Sequence, residues 1–173
     1  PHAPHTSDAE ILAAYRAGNA AAFDTLYARH REWAFRLACR FARDEAEAAD
    51  AVQEAFIYIL RNAHRLQLQG RLTTLLYPAV RNAALTLRRA SKRLRLEEVQ
   101  DAPEANALPR ADVDQGLARG LASLPEGQRE VLLMRIVDEM SVEEVALALS
   151  VPTGTVKSRL HLALKALREQ VLE

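Results

Sequence analysis

The sequence predicts an all-α fold of two small helical domains joined by a flexible acidic linker. The 173 residues include 32 Ala and 26 Leu, while aromatics make up only 5%. Such usage favours helices and leaves too few β-branched and aromatic residues for a sandwich or barrel. Apolar residues recur at intervals of three and four through most of the chain, the period of helices with one buried stripe. Between two such stretches, Glu97 to Asp112 is acidic, contains Pro103 and Pro109 and has no clear period, which marks a linker. The expected division is 1–96, a linker over 97–113, and 114–173. A hydrophobic share of 49% can fill two cores, so wholesale disorder is excluded.

The elements follow in order. The opening PHAPHTS, with His2 and His5, is expected to be an unstructured leader, native or not. Ser7 or Asp8 can N-cap a first helix running towards Ala17, with Gly18-Asn19 as its stop. A second helix starts near Ala20, and Phe23, Leu26, Tyr27, His30, Ala34, Leu37, Ala38 and Phe41 form its apolar stripe. Cys39 beside that stripe is most simply a packed thiol. The third helix spans roughly Glu45 to His64 and buries Ala48, Ala51, Val52, Ala55, Phe56, Ile59 and Leu60. Gly70 marks the following loop. A fourth helix runs from about Thr73 to Leu96, with Pro78 in its first turns, where the lost N–H should start or kink it. In the second domain helices are expected over Gln115–Leu121 and Glu126–Val137. A third covers Val142–Leu149, with Ser141 and Glu144 as a capping box, and a last one begins with Thr153 as its cap.

A formal net charge of zero conceals strong segregation. Asp44 to Glu54 holds five acids and no base, whereas Ala55 to Leu96 holds nine bases and no acid. Glu126 to Glu144 holds six acids against two bases, and Val145 to Arg168 holds four bases and no acid. Two basic segments in a neutral chain imply two anionic partners or one long one, and nucleic acid is the obvious long polyanion. Of the 23 bases 20 are Arg, which suits bidentate contacts to phosphate and guanine.

Ser141 to Leu167 has helix-turn-helix spacing. Val142, Val145, Ala146 and Leu149 face inward on the first helix, and Val156, Leu160, Ala163, Leu164 and Leu167 on the second. The second helix then shows Thr155, Lys157, Ser158, His161 and Lys165 outward, with Arg159 at its flank. Such a helix can enter a major groove, set its first residues on base edges and hold phosphates with its cations. No catalytic triad, glycine-rich phosphate loop, paired-carboxylate site or metal spacing stands out. The protein is therefore expected to be no enzyme and to need no cofactor, metal or small-molecule substrate. One Cys, no secretory signal and no apolar run near the roughly 20 residues of a bilayer span suggest the cytoplasm.

At these residues the chain resembles the extracytoplasmic-function (ECF) sigma factors of bacterial RNA polymerase. LPEGQREVLLMRIVDEMSVEEVALALSVPTGTVKSRLHLALKALRE (Leu124 to Glu169) is similar to that family's region 4. AAFDTLYARHREWAFRLACRFARDEAEAADAVQEAFIYILRN (Ala21 to Asn62) and RLTTLLYPAVRNAALTLRRASKR (Arg71 to Arg93) resemble successive parts of region 2. The order DAVQEAF, VRNAAL with a basic tail, then GTVKSRL is the specific feature.

The resemblance implies that Asp50, Gln53 and Glu54 dock on the polymerase clamp, while helices of the second domain touch the flap. It implies that Arg81, Asn82, Arg88, Arg89, Lys92 and Arg93 hold the −10 element. The loop His64 to Arg71 would pocket an unstacked base, and Thr155, Lys157, Ser158, Arg159 and His161 would meet the −35 element. The acidic linker would thread near the polymerase active-site channel. An anti-sigma protein, free or membrane-anchored, would cover both domains. The chain departs from the family at Ala49 (an acid is common), Leu75 (usually Trp), Pro78, Ser150 (usually the turn Gly) and Leu162 (frequently Arg). The alternative is a stand-alone helix-turn-helix regulator, which would bind duplex DNA without polymerase.

Overall fold

A computed structural model describes residues 6–97 and 115–171. The described residues form eight helices and no strand. The chain divides into two compact units, Pro1–Pro109 and Arg110–Glu173. Glu97, expected to open the linker, ends the fourth helix; the rest of the linker and the first five residues of the expected leader lie outside the described residues.

The first unit holds α1 (Asp8–Arg16), α2 (Ala21–Cys39), α3 (Glu45–Asn62) and α4 (Thr73–Glu97). Ser7 caps α1 through a reciprocal box: Glu10 N–H donates to Ser7 Oγ at 3.3 Å, and Ser7 N–H donates to Glu10 Oε2 at 2.7 Å. The helix stops at Gly18, whose φ of +101° strains any residue with a Cβ. Asp44 caps α3, accepting from Glu47 N–H at 2.8 Å. Ala48, Ala51 and Ala55, all essentially fully buried, give α3 a smooth side that lets α4 lie close along it. Leu12, Leu26, Leu37, Ile59, Leu76, Tyr77 and Val80 fill the space between the four helices. Phe23, Tyr27 and Phe56 join at the rim, with Tyr27 and Phe56 edge to face at 4.9 Å. Tyr27 keeps enough exposure that it belongs to the edge of the stripe, not its centre, and Leu60 and Phe41 are only half-buried. Pro78 neither starts nor ends α4, which runs on through it from Thr73; the ring removes only the bond that the Thr74 carbonyl would otherwise accept.

Asp8 is one of two buried carboxylates among the described residues of this unit, with Glu47. Its Oδ2 accepts from Leu72 N–H at 2.7 Å and lies 2.9 Å from His30 Nε2, while Oδ1 accepts from Arg29 Nη1 at 2.7 Å. Arg29 also donates to the Thr6 carbonyl at 3.0 Å, so Thr6 and Ser7, expected in the unstructured leader, are both engaged. Burial on its own would raise the Asp8 pKa, but the bonds from His30, Leu72 and Arg29 outweigh it and hold the carboxyl well below the usual carboxylate range.

The second unit holds α5 (Gln115–Ser123), α6 (Glu126–Ile136), α7 (Val142–Leu149) and α8 (Thr153–Val171). Leu124, Leu132 and Ala163 form a core with Leu121, Leu160, Ala166 and Leu167, beside buried Val131, Met134, Met140, Val145 and Val156. The Ser141 capping box is present, with Glu144 N–H donating to Ser141 Oγ at 3.1 Å. Ser150 ends α7 in the left-handed region, φ 55° and ψ 44°, where the family usually has Gly. Two expectations change. Leu164 is 46% exposed, because Val156, Leu160, Ala163 and Leu167 already set the inward line and Leu164 lies one residue, about 100°, beyond it. Thr153 is the first residue of α8 and not its cap: the carbonyl of Pro152 accepts from Thr155 and Val156 N–H, which puts Pro152 in the cap position.

Asp8→Asn removes the charge but leaves His30 and Arg29 in place, and is expected to destabilise the first unit by about 3 kcal/mol. Trp33, the single Trp, lies in α2, so its fluorescence during urea unfolding follows this unit. Because the folded carboxyl titrates below its unfolded value, its contribution is complete at neutral pH and is lost as pH falls below the ordinary carboxylate range. The stability gap between parent and variant therefore narrows in acid; a gap that widens in acid contradicts the assignment.

Candidate nucleic-acid and polymerase interfaces

Helix α3 turns Ala48, Ala51, Val52 and Ala55 inward, which leaves Asp50, Gln53 and Glu54 exposed together at spacings of three and four. The acid block around them is smaller than its count suggests. Asp44 is committed to the cap, where the Glu47 N–H bond outweighs partial burial and the Arg43 guanidinium adds to it, holding its carboxyl below the ordinary value. Glu47 is buried and accepts from Arg43 N–H at 2.9 Å. Both acids build the start of α3, and the exposed Asp44 is also paired with Arg43 at 3.0 Å, so the exposed acids left beside them are Glu45, Asp50 and Glu54. Gln53 lines a groove of about 440 Å³ against α2, with Tyr27, Phe35 and Arg36. Glu54, turned the other way, lines a groove of about 500 Å³ against α4, with Tyr58, Leu75, Pro78 and Asn82. Leu75 and Pro78, two of the departures from the family pattern, are thus neighbours on one wall.

The six −10 candidates on α4 separate into two rows. Asn82, Arg89 and Arg93, at i, i+7 and i+11, are exposed along a line roughly 16 Å long. Arg81, Arg88 and Lys92 repeat the spacing one residue earlier; Arg81 and Arg88 are half-buried and Lys92 is exposed. Arg81 sits over the Phe41 ring, 5.6 Å from its centroid, so it turns towards α2 and not towards the Asn82 row. Adjacent residues on a helix diverge by about 100°, which is why the Arg81-Asn82 pair does not act as one unit.

Between α3 and α4 the chain carries exposed His64, Gln67 and Gln69 and half-buried Leu66 and Leu68, and it turns at Gly70, φ +83°. Two residues of α1 hold this loop. Arg16 Nε donates to the Ala63 carbonyl at 2.7 Å and its Nη2 donates to the Leu66 carbonyl, while Asp8 receives Leu72 N–H. The sequence offers Asp8 only as an alternative N-cap, a place Ser7 takes, and gives Arg16 no role, since an acid in a first helical turn and a base in a last turn look like ordinary dipole partners.

On α8, Lys157, Ser158, His161 and Lys165 are exposed together, and Thr155 beside them is half-buried. Lys165 lies 4.0 Å from Glu169, an exposed pair worth little. Arg159 parts from this group. Its guanidinium lies against α6, so close to Gly127 that a Cβ there would come within 3.3 Å of Arg159 Cζ. Leu162, at the family's frequent Arg position, is an exposed apolar residue.

Cys39 is half-buried, and burial, with the Glu45 charge, pushes its thiol pKa up, as fits a packed and unreactive thiol. Among the described residues no helix is long and apolar enough to cross a membrane.

Comparison with known proteins gives these surfaces a frame. Residues 26–94 match Sigma-70 region 2, and residues 115–167 match Sigma-70 region 4. The ECF RNA polymerase sigma factor SigM of Mycobacterium tuberculosis is 34% identical over 154 residues, covering 88% of this chain and 79% of that protein. The ECF RNA polymerase sigma factor SigW of Bacillus subtilis is 27% identical over 89% of this chain and 91% of its own length. Among solved structures, CnrH in complex with the cytosolic domain of CnrY superimposes with a TM-score of 0.67 at 26% identity, covering 95% of this chain and 96% of that one. With both regions present in order, and SigM related along nearly the whole chain, this protein belongs to the ECF group of RNA polymerase sigma factors.

Proposed function

We propose that the chain binds core RNA polymerase and directs it to promoters that carry a −35 and a −10 element. One observation carries this reading: a single chain presents a helix, α4, with six bases and one acid at its last position, and a separate helix-turn-helix whose outward face is Lys157, Ser158 and His161. Asp50, Gln53 and Glu54 dock the clamp, because an exposed acidic patch on a rigid helix complements a basic surface. The Asn82–Arg89–Arg93 row, backed by Arg81, Arg88 and Lys92, follows the −10 strand. The loop at residues 64–71 receives a base that has left the stack.

Thr155, Lys157, Ser158 and His161 lie at the start of α8, the end that enters a major groove, and read or position the −35 element. Arg159, seated against α6, is a phosphate contact at the edge of this face and not a base reader. No bond is made or broken by the protein; the open promoter is held by binding. The acidic linker, outside the described residues, remains assigned to the polymerase channel on resemblance alone. The cytoplasm is the compartment of such a protein. Control by an anti-sigma protein is part of this reading: a structurally similar sigma factor, RpoE of Bartonella quintana, is seen in complex with the anti-sigma factor NepR.

The defining experiment adds the purified chain to core polymerase on a promoter bearing both elements. Run-off transcription from one defined start is expected, and Asp50→Ala with Glu54→Ala should weaken core binding roughly tenfold without changing Trp33-monitored stability. Duplex binding with no effect on polymerase would replace this reading with a stand-alone regulator.

Neutralising Arg88 and Arg89 should lower open-complex formation. It should also flatten the slope of log K against log salt by about 0.7 per lost contact, the counterion release expected for a single strand. Permanganate footprints equal in parent and variant remove α4 from the −10 role.

Selection from randomised −35 sites separates readers from anchors on α8. Ser158 or Lys157 substitutions should change the selected sequence, by about 1–3 kcal/mol per affected base pair. Arg159 substitutions should lower all sequences alike. If every variant returns the parental site at lower yield, the bases are read elsewhere.

A further inference from the structure

Helix α1 carries none of the residues proposed to touch DNA or polymerase, yet its side chains hold both ends of the loop between α3 and α4. Resting on the reading that this loop receives the unstacked base, we infer that Arg16 and Asp8 are positioning residues for promoter opening. Together they make α1 a spacer that fixes the loop's backbone before DNA arrives.

The geometry is specific. The C-terminus of α3 leaves carbonyls without intrahelical partners. Arg16 donates from Nε to the Ala63 carbonyl at 2.7 Å and from Nη2 to the Leu66 carbonyl. These two N–H groups lie on one edge of a planar guanidinium, so a single side chain sets two carbonyls relative to each other. At the far end of the loop, buried Asp8 receives Leu72 N–H at 2.7 Å. Asp8 and Arg16 stand at the first and last residues of α1, roughly 12 Å apart along its axis. A helix is a stiff rod, and a rod bonded to both ends of a loop sets the span of that loop. His64, Gln67 and Gln69 then project from a backbone whose ends are fixed. Extruding a base from the stack is costly, and a receiving loop that still had to be ordered would add to that cost. Preorganisation from α1 removes the addition.

The test uses the full chain with core polymerase and compares Arg16→Lys and Arg16→Ala with a loop variant, His64→Ala with Gln67→Ala. Lysine keeps the charge but has one nitrogen and cannot span both carbonyls. Both Arg16 variants are expected to slow open-complex formation about tenfold. Both should also weaken discrimination at the extruded −10 base, while core affinity and −35 duplex binding, which depend on other surfaces, stay at the parental level. Parental opening and −10 discrimination in Arg16→Lys overturns the inference, as does a loss matched by an equal loss of core affinity, which marks a merely structural role. If the loop variant loses −10 discrimination while the Arg16 variants keep it, the loop reading stands and the role of α1 falls. If the loop variant keeps it as well, the loop reading fails, and the inference with it.

Discussion

The first unit depends on one buried carboxylate. Asp8 sits in the first turn of α1, yet its oxygens meet a guanidinium and an imidazole from α2 and the backbone N–H that leads into α4. A charge taken out of water must be compensated nearly completely or it destabilises the fold, so these donors are not interchangeable decorations. Their shared acceptor fixes where α4 begins, one residue after Leu72. Since α4 is an uninterrupted helix, fixing its first residue fixes the phase of every later one. Which cations face outward some 20 residues on is therefore decided partly at Asp8.

That dependence explains what could be read from the chain and what could not. The period of each helix was plain: the alanine face of α3, the Ser141–Glu144 box and the Val156–Leu160–Ala163–Leu167 line are local patterns with local causes. Phase against neighbouring elements was less so. Leu164 fits the period of α8 as well as Ala163 does, and only packing against α6 and α7 decides that Ala163 goes in. Counting charge also treats all acids alike. Glu47 and Asp44 look like members of a docking patch, but local bonds to the backbone N–H groups of Arg43 and Glu47 use them to start α3. Arg81 and Asn82 are neighbours in sequence and diverge in space. The hold of Arg16 and Asp8 on the loop gave no signal, since the carbonyl and N–H they bind there lie about 50 and 64 residues away.

The segregation of charge has its own physical logic. Along α4 six bases stand against one acid, Glu97 at the last position, so like charges crowd its outer side. α4 tolerates this because its other side is anchored by Leu72, Leu76, Tyr77, Val80 and Ala84. The burial of one face supports the electrostatic tension on the other. A bound polyanion would relieve that tension, so strong salt dependence follows from the same arrangement.

Gly127 bears on how such a protein diversifies. The seat of Arg159 exists because a residue on a different helix has no side chain. A Cβ at position 127 would meet the guanidinium, which must give by a few tenths of an ångström, so a change at 127 can shift the edge of α8's outward face without altering α8. A substitution on α6 thus has a route to that face through packing alone.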